Sequence, residues 1–337
     1  MTMRRGLRMG LVLLTGLTGG RAMAAEACGG GDSAATDTAS RIAAIACAEH
    51  VLWYAPFIDT NGRLASMRVA EAETLRLRDG ATPAWRRVAE YWQGSGVRWP
   101  ADGLAAEADC QGTSNLPARI ALCRTFLVDT PWSAVFVSYV MRRAGVPGFQ
   151  ASARHVDYVR DAGRQPAIGP YRLADPDAAI PAVGDLLCYA RVPSQVFGTA
   201  GFRQWLGRPF SDALAMHCDI VASITGGQAR LVGGNVLQGV TMRILPLNRT
   251  GRFWSLPRRT GGEAACSPDN AAACHLSRQD WVALLKLDPT ASVPAMSLLP
   301  GPVRPAASCC EVCALPMPEG MRRCPTPSPG EPPAGGG

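Results

Sequence analysis

The chain has 337 residues, 47% hydrophobic and 18% charged, which supplies core material for one ordinary domain with appendages and excludes a disordered or fibrous chain. Its formal charge of +7 includes Arg4, Arg5, Arg8 and Arg21; without these four it is +3, so nothing in the charge points to nucleic acid. Twelve cysteines read as disulfides if the chain is exported.

The N-terminus supports export. Arg4, Arg5 and Arg8 precede the apolar stretch "MGLVLLTGLTGG", and Ala22-Met23-Ala24 forms a small-residue cleavage site. Residues 1–24 are expected to be a signal peptide cut after Ala24, delivering a periplasmic or secreted protein. The apolar stretch of about a dozen residues is short of the roughly 20 that span a bilayer, and no later segment does better, so no stable membrane insertion is expected. A lipid anchor on Cys28 is disfavoured by Glu26 and by the distance from the apolar stretch. Residues 25–40 are small and polar, a flexible leader.

An N-terminal helical subdomain is expected over 41–100. "RIAAIACAEHVLWYAPF" sets Ile42, Ile45, Ala46, Leu52 and Trp53 at helical spacing. "TPAWRRVAEYW" offers Thr82 as a cap and Pro83 at the first helical position, with Trp85, Val88 and Trp92 on one face. These tryptophans suit a layer that shields a core.

The main domain is expected over 101–258. In "TPWSAVFVSYVMRRAG", Thr130 is a candidate cap, Pro131 suits a first turn, and Phe136, Val137, Val140, Met141 and Ala144 form a buried stripe that Gly145 ends. Ser133 then lies in the first turn of a core helix. "SARHVDYVRDAG" predicts a second helix with His155, Tyr158 and Val159 on a common face. The period then changes to two: "GDLLCYARV", "HCDIVASI", "QARLVGG" and "GVTMRILPL" predict an antiparallel sheet, with a turn at Gly226-Gly227. Residues between Pro193 and Met216 form an insertion that overhangs the strand ends. The C-terminal extension, 259–337, predicts one helix in "SRQDWVALLKLD" and a disordered tail, "PTPSPGEPPAGGG". Close spacing suggests the disulfides Cys110/Cys123 and Cys266/Cys274, with Cys28/Cys47 as a further pair. Cys309, Cys310, Cys313 and Cys324 match no standard zinc spacing and favour disulfides over a metal.

Nucleophilic hydrolysis needs a nucleophile, a base and a group that orients the base. Of the four histidines, His50 falls within a helix and His275 in a cysteine-flanked loop, whereas His217 opens a strand directly after the insertion. A tight turn at 225–227 makes strand partners sum to 452 or 453, which sets Asn235 opposite His217 or one residue away. Asp219 shares the His217 face by alternation and is the rival orienter. Cys218 should face the other way and, with Cys188, be a core residue or form a disulfide. His155 and Tyr158 follow the serine helix closely and are candidates to line a cleft. Trp132 either walls that cleft or anchors the helix.

These pieces resemble a known group. "PWSAVFVSYVMRRAG" is similar to the Pro-Trp-Cys signature of the CHAP-type peptidoglycan amidases and peptidases, relatives of the NlpC and papain-like cysteine hydrolases. "VGDLLCY", "HCDIV" and "LVGGNVLQGVTMR" resemble that group's later motifs in the same order. More narrowly, the Trp-Ser variant, the "HVDYV" helix and the Trp-rich helices resemble exported bacterial proteins that share domain of unknown function 2272, over about residues 40 to 250. The resemblance implies an α+β papain-like (CHAP/NlpC-type) fold, with a helical half packed on an antiparallel sheet. It further implies a triad of Ser133, His217 and Asn235 that cleaves amide bonds of peptidoglycan or a related peptide. Separately, His217 has no companion ligands at useful spacing, so no cofactor or metal is expected.

The departure is the hydroxyl. A thiol with a reference pKa of about 8.5 can be held as thiolate by a helix N-terminus and an imidazolium, but a helix terminus contributes only about 1 kcal/mol, too little for serine. Ser133 would act only if a neutral imidazole took its proton during attack on an amide carbonyl, giving an acyl-enzyme. The other expectation is a catalytically inactive module of the same fold that binds wall peptides or a protein partner.

Overall fold

The computed structural model describes Cys28 and residues 37–99, 109–110, 116–164, 169–209, 213–288, 309–310 and 322–323. The segments expected to be a signal peptide and a disordered tail, and most of the expected leader, lie outside them. The chain divides after Ser292. In the second unit, Cys309–Cys310 and Arg322–Arg323 pair as two short parallel strands.

Among the described residues, six helices and an eight-stranded sheet build the first unit, so the α+β class holds. Helix α1 (Thr38–Leu52) starts on Asp37, whose side chain accepts from the Ser40 amide at 2.9 Å. Strands β1 (Phe57–Ile58) and β2 (Leu64–Ala65) precede α2 (Ala84–Ser95). The α2 cap is Pro83 rather than Thr82, whose hydroxyl is bonded to Asp79 at 2.6 Å. Helix α3 (Pro117–Asp129) ends at Thr130, which is therefore a C-cap and not the start of the next helix. Helix α4 (Ser133–Arg143) begins after Trp132, with Pro131 outside it and Ser133 at its first position.

Helix α5 (His155–Arg164) leads to strand β3 (Tyr171–Ala174) and strand β4 (Leu186–Ala190). The insertion contains helix α6 (Gly198–Leu206), and it is held in place on both sides. Asp280 accepts the Phe197 and Gly198 amides at 2.7 and 2.9 Å, and the Arg160 guanidinium lies 4.5 Å over the Trp205 ring. Strands β5 (Met216–Thr225), β6 (Gln228–Val236) and β7 (Gly239–Pro246) form consecutive hairpins. The segment predicted as a helix in "SRQDWVALLKLD" is instead strand β8 (Asp280–Leu287), its first six residues buried. An apolar run covered on both faces carries no alternation, so its period does not separate strand from helix.

The sheet order is β2-β1-β7-β6-β5-β4-β8-β3, antiparallel throughout except for β1 beside β7. One large core joins the helices to the near face of the sheet, and it includes Trp53, Trp92, Trp132, Phe136, Cys188 and Cys218. A smaller cluster around Leu187, Tyr189, Val221 and Trp281 fills the other face. Helices α1 and α2, expected as a shielding subdomain, contribute directly to the large core. Among the described residues, disulfides close Cys28–Cys47, Cys110–Cys123, Cys188–Cys218 and Cys266–Cys274, while the expected pairing within Cys309, Cys310, Cys313 and Cys324 lies outside the described side chains. They fit an oxidising, extracytoplasmic environment.

Candidate active site

Helix α4 delivers Ser133 at its N-terminus because its apolar stripe docks on the sheet. That docking needs a bare backbone: a Cβ on Gly234 would sit 2.9 Å from Phe136 Cδ1 and closer still to two other atoms of that side chain. Ser133 is 5% exposed, and its Oγ lies 2.7 Å from His155 Nε2. His155 is the first residue of α5, and Tyr158, one turn on, places its hydroxyl against His155 Nδ1. Burial, with His217 and Arg191 nearby, holds His155 well below the usual histidine range and therefore neutral. Burial pushes the Tyr158 phenol well up.

His217 comes from β5 and faces elsewhere. Its Nε2 lies 2.8 Å from Asp219 Oδ1, and the other Asp219 oxygen accepts from Arg243 Nε at 3.1 Å. Burial alone would raise the Asp219 carboxyl, but His217 and Arg243 outweigh it and hold the carboxyl below its ordinary value. The His217 ring is 5.1 Å from the rings of both His155 and Tyr189. A Cβ on Gly233 would be 2.9 Å from His217 Nε2 and would overlap Asp219 Oδ1 outright, so the pair occupies the space this glycine leaves. Cys218 points to the opposite face and bonds to Cys188, as alternation requires.

Asn235 does not reach His217. The hairpin register is the expected one, with Thr225 opposite Gln228 and Ile220 opposite Val232. However, β6 bulges against β7 between Gly233 and Val236, and Asn235 takes a left-handed φ of 55°. That bulge turns its amide to Glu71, where Asn235 Nδ2 donates to Oε2 at 3.0 Å. Trp132 Nε1 donates to the same oxygen at 2.7 Å. Trp132 is fully buried against Trp53 and Tyr91, so it anchors the start of α4 instead of walling a cleft. Burial raises the Glu71 carboxyl against the Trp132 hydrogen bond.

Of the predicted residues, Ser133, His155 and Tyr158 form one hydrogen-bonded line and His217 and Asp219 a second beside it. Trp132 and Asn235 meet through Glu71. Three contributors were missed. Arg243 had a readable signal, a single charge inside the apolar strand "GVTMRILPL". Gly233 stood in a Gly-Gly pair within a strand, and Glu71 had no distinguishing pattern. Among the described residues, no three His, Cys, Asp or Glu side chains gather as a metal site.

A family model for DUF2272, described as uncharacterized protein conserved in bacteria, matches residues 79–287, more than half of the chain. The chain belongs to the DUF2272 family. The match spans Ser133, His155, His217 and Asn235, whereas Glu71 precedes it. No curated protein and no solved structure matches this DUF2272 chain.

Proposed function

We propose that this DUF2272 protein is an exported cell-envelope hydrolase of papain-like (CHAP/NlpC-type) descent that cleaves amide bonds of peptidoglycan or related peptides, with Ser133 as nucleophile. The observation that carries the reading is the 2.7 Å approach of Ser133 Oγ to a neutral His155. With Nδ1–H donated to the Tyr158 oxygen, His155 Nε2 has the lone pair that accepts the serine proton as Oγ attacks the carbonyl. The proton then passes from Nε2 to the leaving amine, and water resolves the acyl-enzyme by the reverse route. Free amides at the start of α4, those of Trp132 and Ser133, are the oxyanion donors available. His155 thus takes the base role first assigned to His217.

The test is mass spectrometry of muropeptides incubated with the wild type and with Ser133→Ala, His155→Gln and His217→Gln. Wild-type cleavage should vanish in Ser133→Ala and fall by about 10²–10⁴ in His155→Gln, the range of a lost general base. A larger loss in His217→Gln than in His155→Gln would return the base role to His217.

A second reading rests on the turn of His217 away from Ser133 and the deep burial of both. It is a papain-like module without catalysis that binds wall peptides or a protein partner. Intact muropeptides with wild type, together with cleavage by Ser133→Cys, would favour it.

A further inference from the structure

A cavity of about 240 Å³, with Tyr158 in its wall, lies between the loop before α5, α5 itself and the start of β3. Its walls include Phe149, Tyr158 and Tyr171, with ring centroids 5.5 Å apart for Phe149–Tyr158 and 6.2 Å for Phe149–Tyr171. Both phenol oxygens already have partners within the fold. Tyr158 meets His155 Nδ1, and Tyr171 donates to the Gly184 carbonyl at 2.9 Å. Asp161 and Gln150 supply the polar wall, and none of the described lining residues is basic. Burial first, then Asp157, raises the Asp161 carboxyl, so a cationic partner would relieve its charged form.

An aromatic enclosure with one carboxylate complements an ammonium group on an apolar stem. The volume is below the roughly 300–1,000 Å³ of pockets for whole drug-sized ligands, a size for one side chain. We propose that this cavity is a binding site for an alkylammonium group, with the nitrogen against Asp161 and the stem among Phe149, Tyr158 and Tyr171. Tyr158 both lines the cavity and meets His155 Nδ1, so the cavity and the serine pair share this side chain. The proposal goes beyond the hydrolase reading and does not need it.

Titration of the isotope-labelled protein with n-butylammonium and with its neutral counterpart n-butanol, followed by amide chemical shifts, tests it. Saturable shifts are expected at Gln150, Asp161 and Tyr171, with n-butylammonium bound about tenfold more tightly than n-butanol. Asp161→Asn should abolish that preference while amides remote from the cavity keep their positions. Equal affinity for the two probes, an unchanged preference in Asp161→Asn, or no saturation by about 0.1 M would overturn the proposal. No turnover is involved, so the cavity is tested whether or not Ser133 is a nucleophile.

Discussion

Gly233 holds the sheet half of the site by the side chain it lacks. An alanine there overlaps Asp219 Oδ1 and crowds His217 Nε2, and β6 cannot retreat because Gly234 next to it is pressed against Phe136. Gly233→Ala should destabilise the protein by at least about 2 kcal/mol, from overpacking and a strained buried pair. Gly262→Ala, where nothing lies within 4 Å, is the control and should move the urea midpoint very little. A Gly233→Ala midpoint equal to that control would mean that Asp219 has room the packing does not show. Asn235 carries the opposite lesson. Its position opposite His217 was readable from the strand register, but its left-handed backbone was not, because asparagine gives no more than a tolerance for that conformation.

The stripes of α1, α2 and α4 marked the helical layer. The β-branched and apolar composition and the turn at Gly226-Gly227 marked β4 to β7 and the residues that face each other across β5 and β6, although β4 and most of β5 are buried on both faces. The gaps have physical causes. Strand β8 is buried on both faces, α6 sits inside an insertion, and β1 and β2 are two residues each. His155 was placed beside the serine helix but ranked as a cleft residue, since nothing in its helical period shows which turn of α5 meets α4. The Cys188–Cys218 bridge ties β4 to β5 one residue from the Tyr189–His217 pair. Replacing both cysteines by alanine should cost about 2–4 kcal/mol of unfolding free energy, measurable as a lower urea midpoint with an unchanged slope. No change in midpoint would show that ladder pairing alone fixes these strands.

Acid should destabilise the whole molecule through histidines that the fold keeps neutral. His50 is 2% exposed, its Nε2 lies 2.9 Å from the Pro56 carbonyl, its Nδ1 has no partner, and burial lowers its pKa to about 4. Because the unfolded chain takes up this proton near pH 6.5 and the folded one does not, stability is complete above that pH. It falls by up to about 3 kcal/mol as the pH drops towards 4. His155, lowered for the same reason, adds to the loss in the same direction. Asp219, held below its ordinary value, contributes stability that is lost only at more acid pH, below about 3.8. Glu71 and Asp185, both raised, oppose the trend in the carboxyl range, so the comparison that isolates the imidazole is wild type against His50→Gln. Urea midpoints between pH 7.5 and 4.5 should fall less steeply in His50→Gln, and parallel curves would show that His50 is not the proton acceptor.

The place of β8 also sets an order of assembly. It lies between β4 and β3, although both precede it by about a hundred residues, and Tyr171 finds its partner only in Leu287. A chain that emerges N-terminus first therefore carries two apolar strands with bare edges until almost the whole first unit has followed, the condition that invites intermolecular pairing. A chain ended at residue 278 should form aggregates seen by light scattering, whereas one ended at Ser292 should stay dispersed; equal dispersion would mean that β3 and β4 find other cover. In a chain made from its N-terminus, the last strand in is the keystone, and everything before it waits.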